Sequence, residues 1–173
     1  MLRGINVGGH KKVAMADLRA LLGRLGFTNV ATLLQSGNAV FDGPEALPDE
    51  LAARIERAIA DEFMMSVRCM VRTGPELGAV IEGNPFADAA TEGSRYLALF
   101  LSASPDPELL AMYDPRSLAP SQVELGDRMI YQWCPEGILA APNVSGFVEK
   151  NLHVAVTGRN WNTVTKLGAL LGA

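Results

Sequence analysis

Cysteine is scarce in this 173-residue chain: Cys69 and Cys134 are the only two. They stand too far apart in sequence for a disulfide framework or for the paired knuckles of a zinc site. They read as ordinary buried thiols of a reducing compartment, which places the chain in the cytoplasm. Histidine is equally sparse. His10 and His153 have no cysteine or carboxylate at ligand spacing, so no metal and no cofactor is expected. No G-x-S-x-G elbow occurs, which removes the commonest signature of a serine hydrolase. No apolar run approaches the roughly 20 residues of a membrane span, and no charged-then-apolar leader opens the chain, so no membrane association is expected. Excess positive charge is missing too. A formal net charge of -4 argues against a protein that coats nucleic acid through bulk charge, so any anion site must be local.

What the chain does have is ample apolar content, 49% of residues, arranged in a plan that runs twice. Leu2 to Val7 forms a short apolar segment entering a glycine-rich loop. Leu18, Leu21, Leu22 and Leu25 then recur at the spacing of a one-faced helix that Gly26 closes. Val30 to Gln35 and Ala39 to Asp42 flank a turn, with glycine and asparagine suited to positive φ. Pro48 with Asp49 and Glu50 starts a second helix, whose buried stripe is Leu51, Ile55, Ile59 and Phe63. Val67 to Arg72 reads as a strand, and Thr73 with Glu76 as a capping box before a short helix stopped at Gly83. After a small, polar stretch at 87–93 the plan restarts. Tyr96 to Leu101 is a strand, Pro107 to Tyr113 a helix, and Val123 to Leu125 with Met129 to Trp133 a hairpin. Gly146 to Leu152 is a helix, Val154 to Val156 a strand, and a last helix ends the chain.

Strand, helix, hairpin, helix, strand, read twice, predicts an α+β protein of two tandem ferredoxin-like (α/β-plait) units. Each has an antiparallel sheet with helices on one face, and a C-terminal helix follows. The composition puts the units at 1–93 and 94–173.

Three segments carry functional signals. In "RGINVGGHKK", glycines between strand and helix let backbone N–H groups converge on an anion, with lysines adding charge. The spacing matches neither the phosphate-loop nor the dinucleotide fingerprint, and a tight turn flanked by solvated lysines accounts for the same residues. "QSGN", Gln35 to Asn38, can orient a ligand at a strand end or serve turn chemistry alone. In "TGRNWNTVTKL", a helical wheel gathers Trp161, Val164, Leu167 and Leu171 on one arc and Arg159, Asn162, Thr163 and Lys166 on the other. The second arc suits a phosphate or carboxylate, and a solvated helix surface is the alternative.

The opening segment through "LLQSGNAVF", taken with "TGRNWNTVTKL", resembles the bacterial domain-of-unknown-function family 1697 over essentially the whole chain. The resemblance implies two plait-like units in tandem and no established activity, cofactor or catalytic residue. Family members usually carry several apolar residues ahead of the L-R-G segment. Here Met1 directly precedes Leu2, which implies a shortened first strand or a start upstream.

The leading functional expectation is a binding module in which the three segments converge on a phosphate-bearing ligand, a nucleotide or an RNA segment. Arg3, Lys11, Lys12, Arg159 and Lys166 would supply charge, the Gly8 and Gly9 amides a cradle, and Asn6, Asn38 and Asn160 orientation. One alternative is an acylphosphatase-like hydrolase, with Arg3 and the loop amides stabilising a phosphoryl group and Asn38 positioning water, an argument from fold analogy. Another is a scaffold in which the Trp161 helix holds the two halves together or docks on a second copy as a homodimer.

Overall fold

The computed structural model describes residues 1–8 and 11–172. Among them it is a mixed α+β protein with six α-helices and two antiparallel sheets. The contacts divide it into two units, Met1–Thr73 and Gly74–Ala173. No helix among the described residues is long and apolar enough to cross a membrane.

In the first unit, α1 (Met15–Arg24) and α2 (Pro48–Phe63) flank a hairpin of β1 (Thr28–Leu33) and β2 (Asn38–Asp42). The leucine periodicity of α1 buries Leu18, Leu21 and Leu22, and α2 buries Ala52, Ile55 and Ile59. These meet Leu2, Ile5, Val13, Phe27, Val67 and Cys69 in one core. Helix α1 ends where Gly26 turns to a φ of 84°, a conformation that glycine adopts without a Cβ clash. The hairpin keeps its register from Leu33↔Asn38 to Ala31↔Val40 and is irregular before Ala31. There Asn29 adopts a φ of 49° and donates from Nδ2 to Asp42 Oδ2 at 2.6 Å.

The expected outer strands of this unit, Leu2 to Val7 and Val67 to Arg72, do not form as strands. Among the described residues an antiparallel bridge, Leu2↔Cys69, joins them, with Arg3 N–H donating to Arg68 O at 2.9 Å and Met70 N–H to Met1 O at 2.8 Å. The cause is local: Gly4 and Asn6 have φ of 64° and 55°, left-handed values that turn the backbone out of the extended region. Leu2 instead reaches the hairpin, donating to Gly37 O at 2.8 Å. Gly37 has a φ of 78°, and a Cβ there would stand 2.7 Å from Ile5 Cδ1 and 2.8 Å from Leu2 Cβ. The turn and the opening segment are therefore fitted to one another.

The second unit begins with α3 (Gly74–Glu82) and continues with β3 (Tyr96–Leu101), α4 (Pro107–Met112), β4 (Val123–Gly126), β5 (Met129–Trp133), α5 (Val144–Asn151), β6 (Val156–Asn160) and α6 (Trp161–Leu171). Its sheet runs β4-β5-β3-β6, antiparallel throughout. The central strand β3 reads YLALFL and is apolar without alternation, the pattern of a strand covered on both sides. Leu99 and Leu101 pack with Val144 and Val148 of α5. On the other side Tyr96 stacks on Trp161 of α6 with ring centroids 4.6 Å apart.

Helices thus cover both faces of this sheet, where one-sided cover was expected. The extra layer is α3 and α6: Tyr131 of β5 donates its hydroxyl proton to Val80 O of α3 at 2.9 Å, and Tyr96 donates to Asn84 Oδ1 at 2.6 Å. Those two bonds, with buried Leu77 and Val80, show why 74–93 shares contacts with the second unit rather than the first.

Candidate functional site

Asn6 organises the opening loop. Its Oδ1 accepts from Val13 N–H at 2.9 Å, and its Nδ2 donates to Val13 O at 2.9 Å and to Gln35 O at 2.7 Å. Its own N–H donates to Lys11 O at 3.1 Å. One carboxamide thereby imitates a strand partner for Val13 and ties the loop's far end to the QSGN turn. Asparagine is among the few non-glycine residues that tolerate a left-handed φ. Both Nδ2 hydrogens of this side chain and one of the two lone pairs of its oxygen are thus taken up in holding the loop.

Beside that clamp lies an open recess of about 550 Å³ lined by Asn6, Lys12, Val13, Ala14 and Gln35. Ala14 is the N-cap of α1 and offers no side-chain acceptor to the first-turn N–H groups. The positive end of that helix faces this region with its orphan donors uncapped by the preceding residue. Lys12 is exposed, and neither its ammonium nor the Gln35 carboxamide makes a hydrogen bond or ion pair among the described residues. Asp17, in the first turn of α1, puts one carboxylate near the same end.

The other expected site residues of this unit have different roles. Lys11 has a φ of 49° and donates from Nζ to Ser66 O at 2.8 Å, which braces the loop. Arg3 is exposed, and its backbone joins the bridge to 68–70. Gly8 has a φ of 60° with open space where a Cβ would lie, so it serves the backbone turn. Gly9 and His10 lie outside the described residues. Asn38 is fully buried, and its Nδ2 donates to Leu33 O at 3.0 Å and to Ser36 Oγ at 2.9 Å. Its amide nitrogen is engaged in the turn.

In the second unit, the expectation of Arg159 on a helix face is corrected. The strand runs to Asn160 because β3 supplies ladder partners that far, Ala98↔Arg159 and Leu97↔Asn160. Arg159 is 8% exposed, and its Nη1 donates to Thr157 Oγ1 at 2.9 Å and to Gly158 O at 2.7 Å. β6 is an edge strand. Ser102 N–H donates to Ala155 O, so the alternation of an antiparallel ladder turns the polar groups of Val156 and Gly158 outward. Glu149 Oε1 accepts from Val156 N–H at 3.1 Å, and Arg159 covers Gly158 O. Two charged side chains thus occupy an edge that could otherwise template strand pairing.

Asn160 is the N-cap of α6, its Oδ1 accepting from Thr163 N–H at 3.0 Å and from the Thr163 hydroxyl at 2.9 Å. Thr163 is buried by this arrangement, and Leu171 is exposed, both opposite to the helical wheel. Lys166 is exposed on α6. Asn160→Ala should cost about 1 kcal/mol of stability through the lost cap, read as a lower midpoint in denaturant with an unchanged slope.

The signature tryptophan belongs to an aromatic group. Besides the Tyr96 stack, Trp161 lies 6.2 Å from Tyr131, and Phe86 meets Tyr96 edge-on at 6.0 Å. Burial, with the neighbouring Tyr131 adding to it, pushes the Tyr96 phenol well above the usual tyrosine range, and burial likewise raises Tyr131 and the Cys134 thiol. These groups stay neutral at ordinary pH. Sequence reasoning placed Gln35 in a segment that can orient a ligand at a strand end or serve turn chemistry alone, and its place on the recess follows from the Asn6 clamp, which no local pattern announces.

Comparison with known proteins adds family and fold. Residues 1–131 match the model of a family described as a protein of unknown function, DUF1697. A solved conserved bacterial protein from Streptococcus pneumoniae is similar at 25% identity and a TM-score of 0.69, with 99% of this chain and 96% of that chain covered. No curated protein matches.

Proposed function

The chain belongs to the DUF1697 family, and we propose that its first unit binds a small phosphate-bearing ligand in the recess beside α1. The observation that carries this reading is the pairing of an uncapped helix start at Ala14 with the exposed Lys12 on one recess of about 550 Å³. Backbone donors and the dipole favour an anion there, and lysine adds a point charge. The size falls within the roughly 300–1,000 Å³ of small-molecule sites. With a net charge of -4, a compact ligand suits the chain better than a long polyanion. The tandem plait reading belongs to the same proposal. Its support is the β4-β5-β3-β6 order in the second unit and the Leu2↔Cys69 bridge in the first.

Lys12→Ala should weaken phosphate binding about tenfold, near 1.4 kcal/mol. Asp17→Asn should tighten it about two- to fivefold, because a like charge leaves the helix start, while α1 loses a few tenths of a kcal/mol. Titration calorimetry on both variants checks the signs. Equal affinity in wild type and Lys12→Ala would remove the proposed site. The hydrolase alternative gains no support from the geometry, since Asn38 is fully buried with its amide nitrogen bonded within the turn.

A further inference from the structure

We draw no further inference here: the strongest candidate, the surface patch of Ile138, Leu139 and Ala140 at the tip of the loop between β5 and α5, is an unpartnered apolar face, and nothing in the structure shows what covers it.

Discussion

Asn6→Ala should abolish phosphate binding and lower stability by about 4 kcal/mol. Three hydrogen bonds leave with the carboxamide, to Val13 N–H, Val13 O and Gln35 O. Each is worth about 1 kcal/mol net, and more where a partly buried group is left without a partner. Alanine must also hold the φ of 55° found at Asn6, which costs it roughly 1 kcal/mol. Loss of the clamp frees the loop from the QSGN turn, so the recess loses the wall that holds Lys12 and Gln35 together. Asn6→Gly separates the two contributions. Glycine accepts the φ and lacks the clamp, so it should recover about 1 kcal/mol of stability without recovering binding. Chemical denaturation and calorimetry on both variants give the comparison; binding retained in Asn6→Gly would mean that the clamp does not build the site.

Trp161→Ala should cost about 3 kcal/mol, at the lower end of the range for losing a large aromatic because Trp161 is only half-buried. The lost contacts are the 4.6 Å stack on Tyr96 and the approach to Tyr131, worth about 0.5–1.5 kcal/mol beyond the area covered. At this chain length the midpoint should fall by roughly 6–12 °C. Trp161→Phe keeps an aromatic face and should restore about half of the loss. A Trp161→Ala protein with an unchanged midpoint would show that the aromatic group does not hold α6 on the sheet.

The clearest parts of the fold were legible wherever one local rule acted alone. Leucine spacing with Gly26 announced α1, Pro48 with two acids announced α2, and an unbroken apolar run announced β3. Legibility failed where a remote partner decided. Thr157 to Asn160 is a polar stretch that follows an apolar one, and nothing local distinguishes it from the first turn of α6; β3 keeps it extended by supplying a ladder. That is why Arg159 was placed on a helix while it guards a sheet edge. The opening strand failed for the opposite reason: its apolar residues fit a strand, but Gly4 and Asn6 turn it away after one bridge.

Of the candidate site, Lys12 was legible as a cation next to glycines. Its companion Gln35 was legible as part of the QSGN segment, but its place beside Lys12 was not, because the Asn6 bond that seats the Gln35 carbonyl spans 29 positions in sequence. Asn6, Asn38 and Asn160 all looked like ligand-orienting residues. Each proves to have a defined backbone task, in a loop clamp, a turn and a helix cap, which is the work short amides commonly do.

The most direct test of the central claim is a phosphate titration of the isotopically labelled full chain followed by backbone amide resonances. The account predicts saturable shifts at Lys12, Val13, Ala14 and Gln35, absent in Lys12→Ala. Saturable shifts confined to Arg159–Lys166, or no saturable shift at all, would contradict it.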